Sequence, residues 1–378
     1  MKILMFGWEL PPHNSGGLGV ACLGLANALV ERGEEIAFVL PKRLGNYKVP
    51  FKIFFAGLPE AGLAYGRTAF AEGLMGEVEQ YARFAKKIAL ENRFDVVHAH
   101  DWLTFSAGIA ASRASGRPLV AHVHATEVDR TGGLGSVSGE VFQKEKEGFE
   151  AASKIIAVSL RTKSILTGFY GINPSKVEVV HNGIDVPPGP AETDEGLEAL
   201  KKSGYKIVLS VGRITLQKGI DYLVSAAAEV LRARPKVIFV IVGSGDMEGQ
   251  IMSQVGRLGL SGNFLFPGFL RGRDISGIFG SADLFVMPSV SEPFGLVALE
   301  ALAHGKPVIV SKQSGVAEVI KHAMKVDFWD TDEMADKILS VISSSSLVRL
   351  MAENGSKEVL SCTWAKAAKE ISRLYLSL

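Results

Sequence analysis

The chain has 378 residues, of which 47% are hydrophobic and 21% charged, with 41 lysines and arginines against 40 aspartates and glutamates. This length predicts two globular domains, and a net charge of +1 excludes the strongly basic surface typical of nucleic-acid-binding proteins. The two cysteines, Cys22 and Cys362, exclude a disulfide framework and a cysteine-based metal site. Because no apolar run suits a signal peptide or a membrane span, we expect a cytoplasmic protein.

Short apolar runs alternate with longer amphipathic stretches through the first half of the chain. This alternation predicts βαβ units, which form a parallel sheet with helices on both faces. The expected strands are Lys2–Gly7, Glu35–Leu40, Val96–His100, Leu119–His124, Ile155–Val158 and Val177–His181, and the expected helices are Leu18–Arg32, Val78–Asn92 and Phe142–Ala152.

The alternation stops at Val186 and resumes after Gly196. The segment between them holds three prolines and no apolar period, so it predicts a linker. The fold class is therefore α/β, with two doubly wound parallel-sheet domains over residues 1–186 and 197–362. A last helix, within residues 363–378, can pack on either domain, including back on the N-terminal one. In the second domain the expected strands are Lys206–Val211, Val237–Gly243, Leu284–Pro288 and Pro307–Ser311, and the expected helices are Gly219–Arg234, Met247–Leu258 and Gly295–His304.

A glycine-rich loop follows the first expected strand. Gly16 and Gly17 precede a helix there, so their backbone N–H groups can approach an anion or a sugar. The spacing is not G-x-G-x-x-G, and Pro41-Lys42-Arg43 stands where a dinucleotide site needs an acid, which disfavours such a site. A tight turn without a ligand is the alternative interpretation.

Two further strands of the first half end in polar residues. The segment from Val97 to Trp102 ends one strand, and its polar and aromatic groups suit carbohydrate hydroxyls, although Asp101 is also placed to cap the next helix. His122 and His124 lie on one face of the next strand, and only His124 lies at its end. Because no matching third ligand is evident, the pair does not predict a metal site.

In the second half, two cations flank a junction between a strand and a helix. Arg213 follows the strand and Lys218 precedes the helix. Fixed cations beside a helix N-terminus suit a pyrophosphate, because they stabilise the charge that grows on a leaving nucleoside diphosphate. A pair of surface charges is the alternative. Gly243 opens a further glycine-rich turn after the next strand, which is a weak signal by itself.

A turn into a helix carries two acids near the end of the second half. The backbone N–H groups of Phe294, Gly295 and Leu296 are available to a ligand at this turn. Glu292 and Glu300 lie eight positions apart, so their carboxylates can accept hydrogen bonds from the two ends of one extended ligand. The alternative is a capped amphipathic helix with Glu300 at the surface.

Taken together, these segments resemble glycosyltransferase family 4, whose members have the two-domain fold called GT-B. The resemblance covers essentially the whole chain and is greatest to the branch that contains glycogen and starch synthases. It rests on Asn14–Leu18, His98–Trp102, Val123–His124, His181–Asp185, Gly212–Arg213 with Lys218–Gly219, and the pair Glu292 and Glu300.

The resemblance implies a retaining, metal-independent hexosyltransferase that acts in a cleft between its two domains. It needs no cofactor, and its partners are a nucleotide-sugar donor, UDP-glucose or ADP-glucose, and a carbohydrate acceptor. The residues implied in donor binding are Gly16, Gly17, Arg213, Lys218, Gly243, Glu292, Phe294, Gly295, Leu296 and Glu300. Those implied in the reaction itself are Glu292, His124, Asp101, Arg213 and Lys218, with His124 and Asp101 at the transferred sugar or on the acceptor side.

The segment Asp330-Thr331-Asp332 has the D-x-D pattern of metal sites in other glycosyltransferases. It precedes an amphipathic stretch, Glu333–Ile342, so we expect one of the aspartates to cap that helix instead.

Other functions remain open at the level of sequence. An NDP-sugar epimerase can share the same two-domain fold, and a non-enzymatic carbohydrate-binding protein would not need the pair of cations. An α-glucan is the favoured acceptor, with a small sugar, a sugar phosphate or a lipid-linked acceptor as alternatives. The alternatives stay open because Phe294 stands where glycogen synthases usually have a cysteine. The sequence does not predict the oligomeric state.

Overall fold

The structure is a computed structural model that describes residues 1–13, 16–58, 73–132, 139–186 and 192–378. It divides into two compact units, one formed by Met1–Asp185 with Thr363–Leu378 and the other by Val186–Cys362. Asn14 and Ser15 of the glycine-rich segment, and residues 187–191 of the expected linker, lie outside the described residues.

The N-terminal unit contains a parallel sheet flanked by helices. In chain order its elements are β1 (Lys2–Phe6), α1 (Gly17–Glu31), β2 (Glu35–Leu40), β3 (Lys52–Phe55), α2 (Leu74–Glu91), β4 (Val96–His100), α3 (Trp102–Ser115), β5 (Leu119–Val123), α4 (Glu127–Arg130), α5 (Gly139–Ala151), β6 (Lys154–Ala157), α6 (Leu160–Gly168) and β7 (Val177–Val179). The strand order is β3-β2-β1-β4-β5-β6-β7, so the direction of winding reverses between β1 and β4. Every residue of β4 and β5 is buried, which explains why both strands are mainly apolar apart from His98, His100 and His122.

The C-terminal unit repeats this plan with a smaller sheet. Its elements are α7 (Glu195–Lys202), β8 (Lys206–Val211), α8 (Ile220–Ala233), β9 (Val237–Val242), α9 (Glu248–Arg257), β10 (Phe264–Gly268), α10 (Gly272–Ser281), β11 (Leu284–Met287), α11 (Leu296–Ala303), β12 (Val308–Ser311), β13 (Met324–Val326), α12 (Thr331–Ser343) and α13 (Ser345–Val359). The strand order is β10-β9-β8-β11-β12-β13, and the winding reverses between β8 and β11. Two parallel sheets of this kind confirm the predicted fold class.

The last helix, α14 (Trp364–Leu376), belongs to the N-terminal unit, where it packs against α1. Small residues allow the close approach. A Cβ atom on Gly24 of α1 would lie 2.3 Å from the Trp364 ring, and one on Gly183 would lie 2.2 Å from the backbone of Thr363. The chain therefore returns to its first unit after completing the second.

The structure also differs from the sequence predictions. Three strands were not predicted, β3, β10 and β13, and all three lie at sheet edges. Edge strands are covered on fewer sides, and these three are only partly buried. The prediction overlooked the short apolar runs of β3, Ile53–Phe55, and of β10, Phe264–Phe266, whereas Lys325 interrupts β13. Among the described helices we find none whose length and apolar character would let it span a bilayer.

Candidate functional site

The candidate residues of the C-terminal unit gather where the strand order reverses. The segment after β8 carries Arg213 and Lys218, and the segment after the adjacent strand β11 carries Glu292. The Nζ atom of Lys218 lies 2.5 Å from Oε2 of Glu292, and the Ser289 hydroxyl donates to the same oxygen at 3.2 Å. Glu292 is buried and Lys218 is half-buried, so this ion pair is largely shielded from solvent. Ligands of open α/β sheets bind at such switch points.

Gly219 explains how the two segments approach so closely. It has a φ of +62° and is the N-cap of α8, which begins at Ile220 and not at Gly219 as the sequence predicts. A Cβ atom at this position would lie 2.3 Å from the carbonyl oxygen of Pro288. The Val290 amide also donates to the Gln217 carbonyl at 2.9 Å. Glycine is therefore required for the contact that places Lys218 beside Glu292.

Gly243 has a comparable packing role. Its φ is +135°, and a Cβ atom would lie 1.9 Å from the carbonyl oxygen of Gly212, the residue before Arg213. The Ile214 amide donates to the Ser244 carbonyl at 2.9 Å. The turn after β9 thus supports the backbone around Arg213, and direct contact of Gly243 with a donor stays a prediction.

The helix that carries the second acid begins beside Glu292. α11 starts at Leu296, one residue later than predicted, and Gly295 is its N-cap with a φ of +109°. The Phe294 side chain is buried, and its carbonyl accepts a hydrogen bond from Val316 at 2.6 Å. The first N–H groups of a helix have no partner within the helix and form the positive end of its dipole. This end of α11 therefore suits a negatively charged or hydroxyl-bearing ligand.

Glu300 lies within α11 and is half-buried, so the alternative of a surface residue is wrong. Burial raises the pKa of its carboxyl group to about 6. Its charge consequently changes close to neutral pH, which a solvent-exposed glutamate does not do.

In the N-terminal unit, Asp101 joins the ends of two neighbouring strands. It is the one non-glycine residue with positive φ in the described part of the chain, at +59°. It occupies the N-cap position of α3, but its side chain makes no capping bond, so the capping interpretation is wrong. Its Oδ1 atom instead accepts hydrogen bonds from the amides of His124 at 2.7 Å and Ala125 at 3.3 Å. Backbone strain of this kind is common at functional sites.

Burial also determines the charges of Asp101 and His124. It raises the pKa of Asp101 to about 7, although Arg130 and the two amide donors oppose that rise. It lowers the pKa of His124 to about 3, so the imidazole is neutral at pH 7. His124 can therefore donate or accept a hydrogen bond, but it does not supply a positive charge.

The other residues of the segment from Val97 to Trp102 do not face a ligand. His98 and His100 are fully buried and Trp102 is 3% exposed within the apolar core, so the expectation that these groups contact carbohydrate hydroxyls is wrong for them. The reason is that β4 is a central strand covered on both faces.

From the sequence, no third metal ligand is predicted near His122 and His124. The structure corrects this, because ring nitrogens of His98, His100 and His122 lie within 4.8 Å of one another.

The glycine-rich segment starts α1. Gly16 is its N-cap and Gly17 its first residue, and a Cβ atom on Gly16 would meet nothing within 4 Å. Steric demands within the described residues therefore do not explain a glycine at Gly16, and a role towards a donor stays a prediction.

Asp330 caps α12, because its side chain accepts a hydrogen bond from the Glu333 amide at 2.9 Å. This confirms the capping prediction for the D-x-D segment.

Several residues that shape the site were missed in the sequence. Ser289 hydrogen-bonds Glu292, and Arg130 forms ion pairs with Glu127 and Glu145 beneath Asp101. The two His-x-His patterns on consecutive strands could have indicated the histidine cluster, since neighbouring parallel strands align such pairs. No local pattern indicates the contributions of Ser289 or Arg130.

Two family models together match most of the chain. Residues 15–187 match the model described as Glycosyltransferase Family 4, and residues 194–358 match the model described as Glycosyl transferases group 1.

Individual relatives extend the similarity over the full length. The chain is 33% identical over 394 residues to an uncharacterized glycosyltransferase of Methanocaldococcus jannaschii, covering 99% of this chain and 98% of that protein. It is 28% identical over 397 residues to a glycogen synthase of Mycobacterium tuberculosis, covering 100% and 95%. It is 32% identical over 308 residues to the alpha-maltose-1-phosphate synthase of Mycolicibacterium smegmatis, covering 74% and 78%.

Among solved structures, the fold is similar to that of HepE from Anabaena in complex with UDP and glucose. The TM-score is 0.76 at 22% identity, and the similarity covers 100% of both chains. At this identity the likeness concerns the fold.

Proposed function

This chain belongs to glycosyltransferase family 4 and has the GT-B fold, and we propose that it is a retaining hexosyltransferase that moves a glucosyl group from UDP-glucose or ADP-glucose to an α-glucan. The observation that carries the proposal is the contact of Lys218 with Glu292 at the ends of two adjacent strands. It combines a cation suited to a diphosphate with a carboxylate suited to sugar hydroxyls. A nucleotide sugar presents these two chemical groups side by side.

On the donor side, Arg213 and Lys218 hold the diphosphate and stabilise the charge that develops as it leaves. Glu292 accepts hydrogen bonds from the transferred sugar, assisted by the backbone N–H groups at the start of α11, and Glu300 accepts them from the ribose. The complex of Anabaena HepE with UDP and glucose supports a donor of this chemical class.

On the acceptor side, Asp101 positions His124. The carboxylate holds the His124 amide at 2.7 Å, which fixes the start of the segment after β5. The neutral imidazole then hydrogen-bonds a hydroxyl of the transferred sugar or of the acceptor. Asp101 therefore acts through His124 in this proposal.

Retention of configuration follows from the groups that the donor side lacks. A double displacement needs a carboxylate nucleophile about 5 Å from an acid/base partner. Of the two acids of the motif, Glu292 precedes α11 and Glu300 lies within it, and the ribose occupies Glu300 in this proposal, so the pair does not supply a nucleophile and its partner. The acceptor hydroxyl therefore attacks the anomeric carbon on the face that the diphosphate leaves. One C–O bond forms, the other breaks, and a diphosphate oxygen takes the proton of the acceptor.

The reaction needs no added metal ion, because Arg213 and Lys218 supply the positive charge at the diphosphate. Transfer should accordingly persist in EDTA. Complete loss of activity that manganese or magnesium restores would contradict this part of the proposal.

A sugar phosphate is the second candidate acceptor. It is favoured by the 32% identity to an alpha-maltose-1-phosphate synthase, against 28% identity to a glycogen synthase. We still propose an α-glucan, because the similarity to the glycogen synthase spans the whole chain and is therefore the longer of the two.

The test is a panel of UDP- and ADP-sugars, each incubated with maltooligosaccharide, with glucose 1-phosphate or without acceptor. We expect nucleoside diphosphate release that depends on maltooligosaccharide, and an α-linked first product in proton NMR spectra taken before anomeric equilibration. Release that depends on glucose 1-phosphate alone would favour the second candidate. Epimerised donor without acceptor-dependent release, or a β-linked product, would overturn the proposal.

A further inference from the structure

Four histidines stack together at the carboxyl ends of β4 and β5 in the N-terminal unit. His98 and His100 alternate on β4, and His122 and His124 continue the same alternation from β5, with His100 directly opposite His122 in the sheet. The centroids of neighbouring rings lie 4.3 to 5.2 Å apart. A neutral imidazole has one nitrogen that carries a proton and one that carries a lone pair, so each ring can offer one ligand atom.

Three buried nitrogens of this cluster lack a hydrogen-bond partner among the described residues. They are Nε2 of His100, Nε2 of His122 and Nδ1 of His124, and the His100 and His122 side chains are 0% and 2% exposed. An unsatisfied polar atom in the interior is costly, so such atoms are rare in native proteins. A ligand held by the cluster would satisfy Nε2 of His100.

The hydrogen bonds within the cluster allow the unpaired nitrogens to present lone pairs. Nδ1 of His98 is hydrogen-bonded to the hydroxyl of Tyr375, and Nδ1 of His100 lies 2.9 Å from Nε2 of His124. If each of these Nδ1 atoms carries the proton and donates it, Nε2 of both residues becomes an acceptor. Nδ1 of His122 lies 3.2 Å from Nε2 of His98, and it also presents a lone pair when His122 carries its proton on Nε2.

We propose that His98, His100 and His122 bind one divalent transition-metal ion, with Zn²⁺ as the preferred ion. One ring nitrogen from each residue lies within 4.8 Å of the other two, so small side-chain shifts bring all three to one ion. Two of them, Nε2 of His98 and Nδ1 of His122, are 3.2 Å apart. That separation is close to the roughly 3.3 Å between ligand nitrogens around a tetrahedral ion at 2.0–2.1 Å.

The chemistry of the ligands selects the ion. Neutral imidazole suits zinc, copper and nickel, whereas magnesium and manganese prefer oxygen ligands. Tyr375 acts as an outer partner, because a metal-binding histidine usually donates its other N–H to a neighbouring acceptor. Cys22 is buried next to His100 and His124, within the same 4.8 Å limit. A further side-chain shift would bring its sulfur to the ion as a fourth ligand, and the thiol would lose its proton on binding.

An ion at this position would be structural. It would join β4 and β5 directly, α1 through Cys22, and α14 through the bond between His98 and Tyr375. Arg213 and Lys218, the residues of the proposed diphosphate site, belong to the other unit and are not among the ligands of this ion.

The experiment uses the untagged full-length chain, dialysed against Zn²⁺ and freed of excess metal by gel filtration. We expect about one zinc per chain by inductively coupled plasma mass spectrometry, and a higher midpoint of thermal unfolding with zinc than without it. The His122→Asn variant should bind no zinc and show no shift, while His322→Asn, which changes an exposed histidine of the other unit, should behave as the wild type.

Wild-type protein that retains no zinc, or a folded His122→Asn variant that retains as much as the wild type, would overturn the proposal. Circular dichroism checks the folding of the variants. If His122→Asn does not fold, X-ray absorption of the zinc-loaded wild type decides, because three imidazole ligands give a characteristic multiple-scattering pattern. A spectrum with oxygen ligands alone would also reject the site, and loss of a sulfur signal in Cys22→Ser would identify the fourth ligand.

Discussion

At the scale of single residues, the positive charge of Lys218 can pair either with the Glu292 carboxylate or with the diphosphate of a donor. In the structure its ammonium group pairs with Glu292 at 2.5 Å, and in the proposed reaction it faces a diphosphate. Binding of the donor would then turn the Glu292 carboxylate from a partner of lysine into an acceptor for sugar hydroxyls. The ion pair thereby keeps both side chains in place for a ligand that contacts both.

The first prediction concerns the two cations. Lys218→Ala or Arg213→Ala should each lower kcat/KM for transfer by roughly 100-fold or more, because each removes charge stabilisation of the leaving group. Acceptor-dependent release of nucleoside diphosphate measures this. Lys202→Ala is the matched control, since it removes an exposed lysine of the same unit and should leave activity unchanged. Near-normal turnover in both folded variants would show that the assignment is wrong.

The second prediction concerns the pH dependence of donor binding. With a pKa of about 6, Glu300 is about one tenth ionised at pH 5, and the protonated form is a poorer acceptor for the ribose hydroxyls. The KM for the donor should therefore rise by up to about tenfold between pH 7 and pH 5. Glu300→Gln should have a high KM that does not change over this range.

The same shift has a consequence for stability, with the opposite dependence on pH. The pKa of Glu300 is higher in the folded chain than the ordinary value of 4.5, so the folded state holds the proton more tightly. Stability from this group is present below pH 4.5 and is lost as the pH rises to 6. Urea unfolding of wild type and Glu300→Gln at pH 4.5 and 7 should show the variant gaining relative stability at pH 7. An unchanged difference would contradict the assigned pKa.

At the scale of secondary-structure elements, glycine determines how closely the strand-to-helix segments approach. The third prediction is that Gly219→Ala destabilises the C-terminal unit by about 1–3 kcal/mol, because φ is +62° and the new Cβ meets the Pro288 carbonyl. Donor KM should rise as well, since Lys218 moves from Glu292. Gly256→Ala is the control, because this helical glycine has open space around it and alanine should stabilise the helix slightly. If denaturant unfolding showed the same change in the free energy of unfolding for Gly219→Ala and Gly256→Ala, the steric role assigned to Gly219 would be wrong.

The sequence predicted central elements well and peripheral ones poorly. β4 and β5 are buried on both faces and fit the predicted alternation, whereas β3, β10 and β13 are short, partly exposed edge strands. The location of the candidate functional residues was also predictable, because ligands of parallel sheets bind at the turns that follow the strands. This reasoning indicated Arg213, Lys218 and Glu292 before any contact between them was known.

Contacts between distant segments were not predictable in the same way. The histidine cluster depends on the pairing of His100 opposite His122, and its last member, Tyr375, lies 277 residues after His98. The side-chain contacts of Asp101 were not predictable for a similar reason. Its position before a helix suggests a cap, but the neighbouring strand offers two amide donors that only the sheet order reveals.

At the scale of the whole molecule, the last helix belongs to the first unit. The fourth prediction follows from Trp364, which is 5% exposed where α14 packs over Gly24. Trp364→Ala should destabilise the N-terminal unit by about 3–5 kcal/mol, the usual cost of removing a buried aromatic side chain. Differential scanning calorimetry would detect this as an earlier transition.

The control for this prediction is another tryptophan. Trp329 is 58% exposed and belongs to the C-terminal unit, so Trp329→Ala should change stability far less. Two variants with equal losses would indicate that α14 contributes little to the first unit.

The return of α14 also affects the order of events during synthesis on the ribosome. Residues Met1–Asp185 are translated before the C-terminal unit, but the surface around Gly24 stays uncovered and His98 lacks its hydroxyl partner until Thr363–Leu378 are translated. The C-terminal unit, in contrast, is one continuous segment and can complete itself within a nascent chain. At about 5–20 residues per second, the unfinished N-terminal sheet waits on the order of ten seconds or more for its last helix. The N-terminal unit, although it is translated first, should therefore be the last to complete its fold. Chains that stall before residue 363 would expose the apolar face of α1 to chaperones.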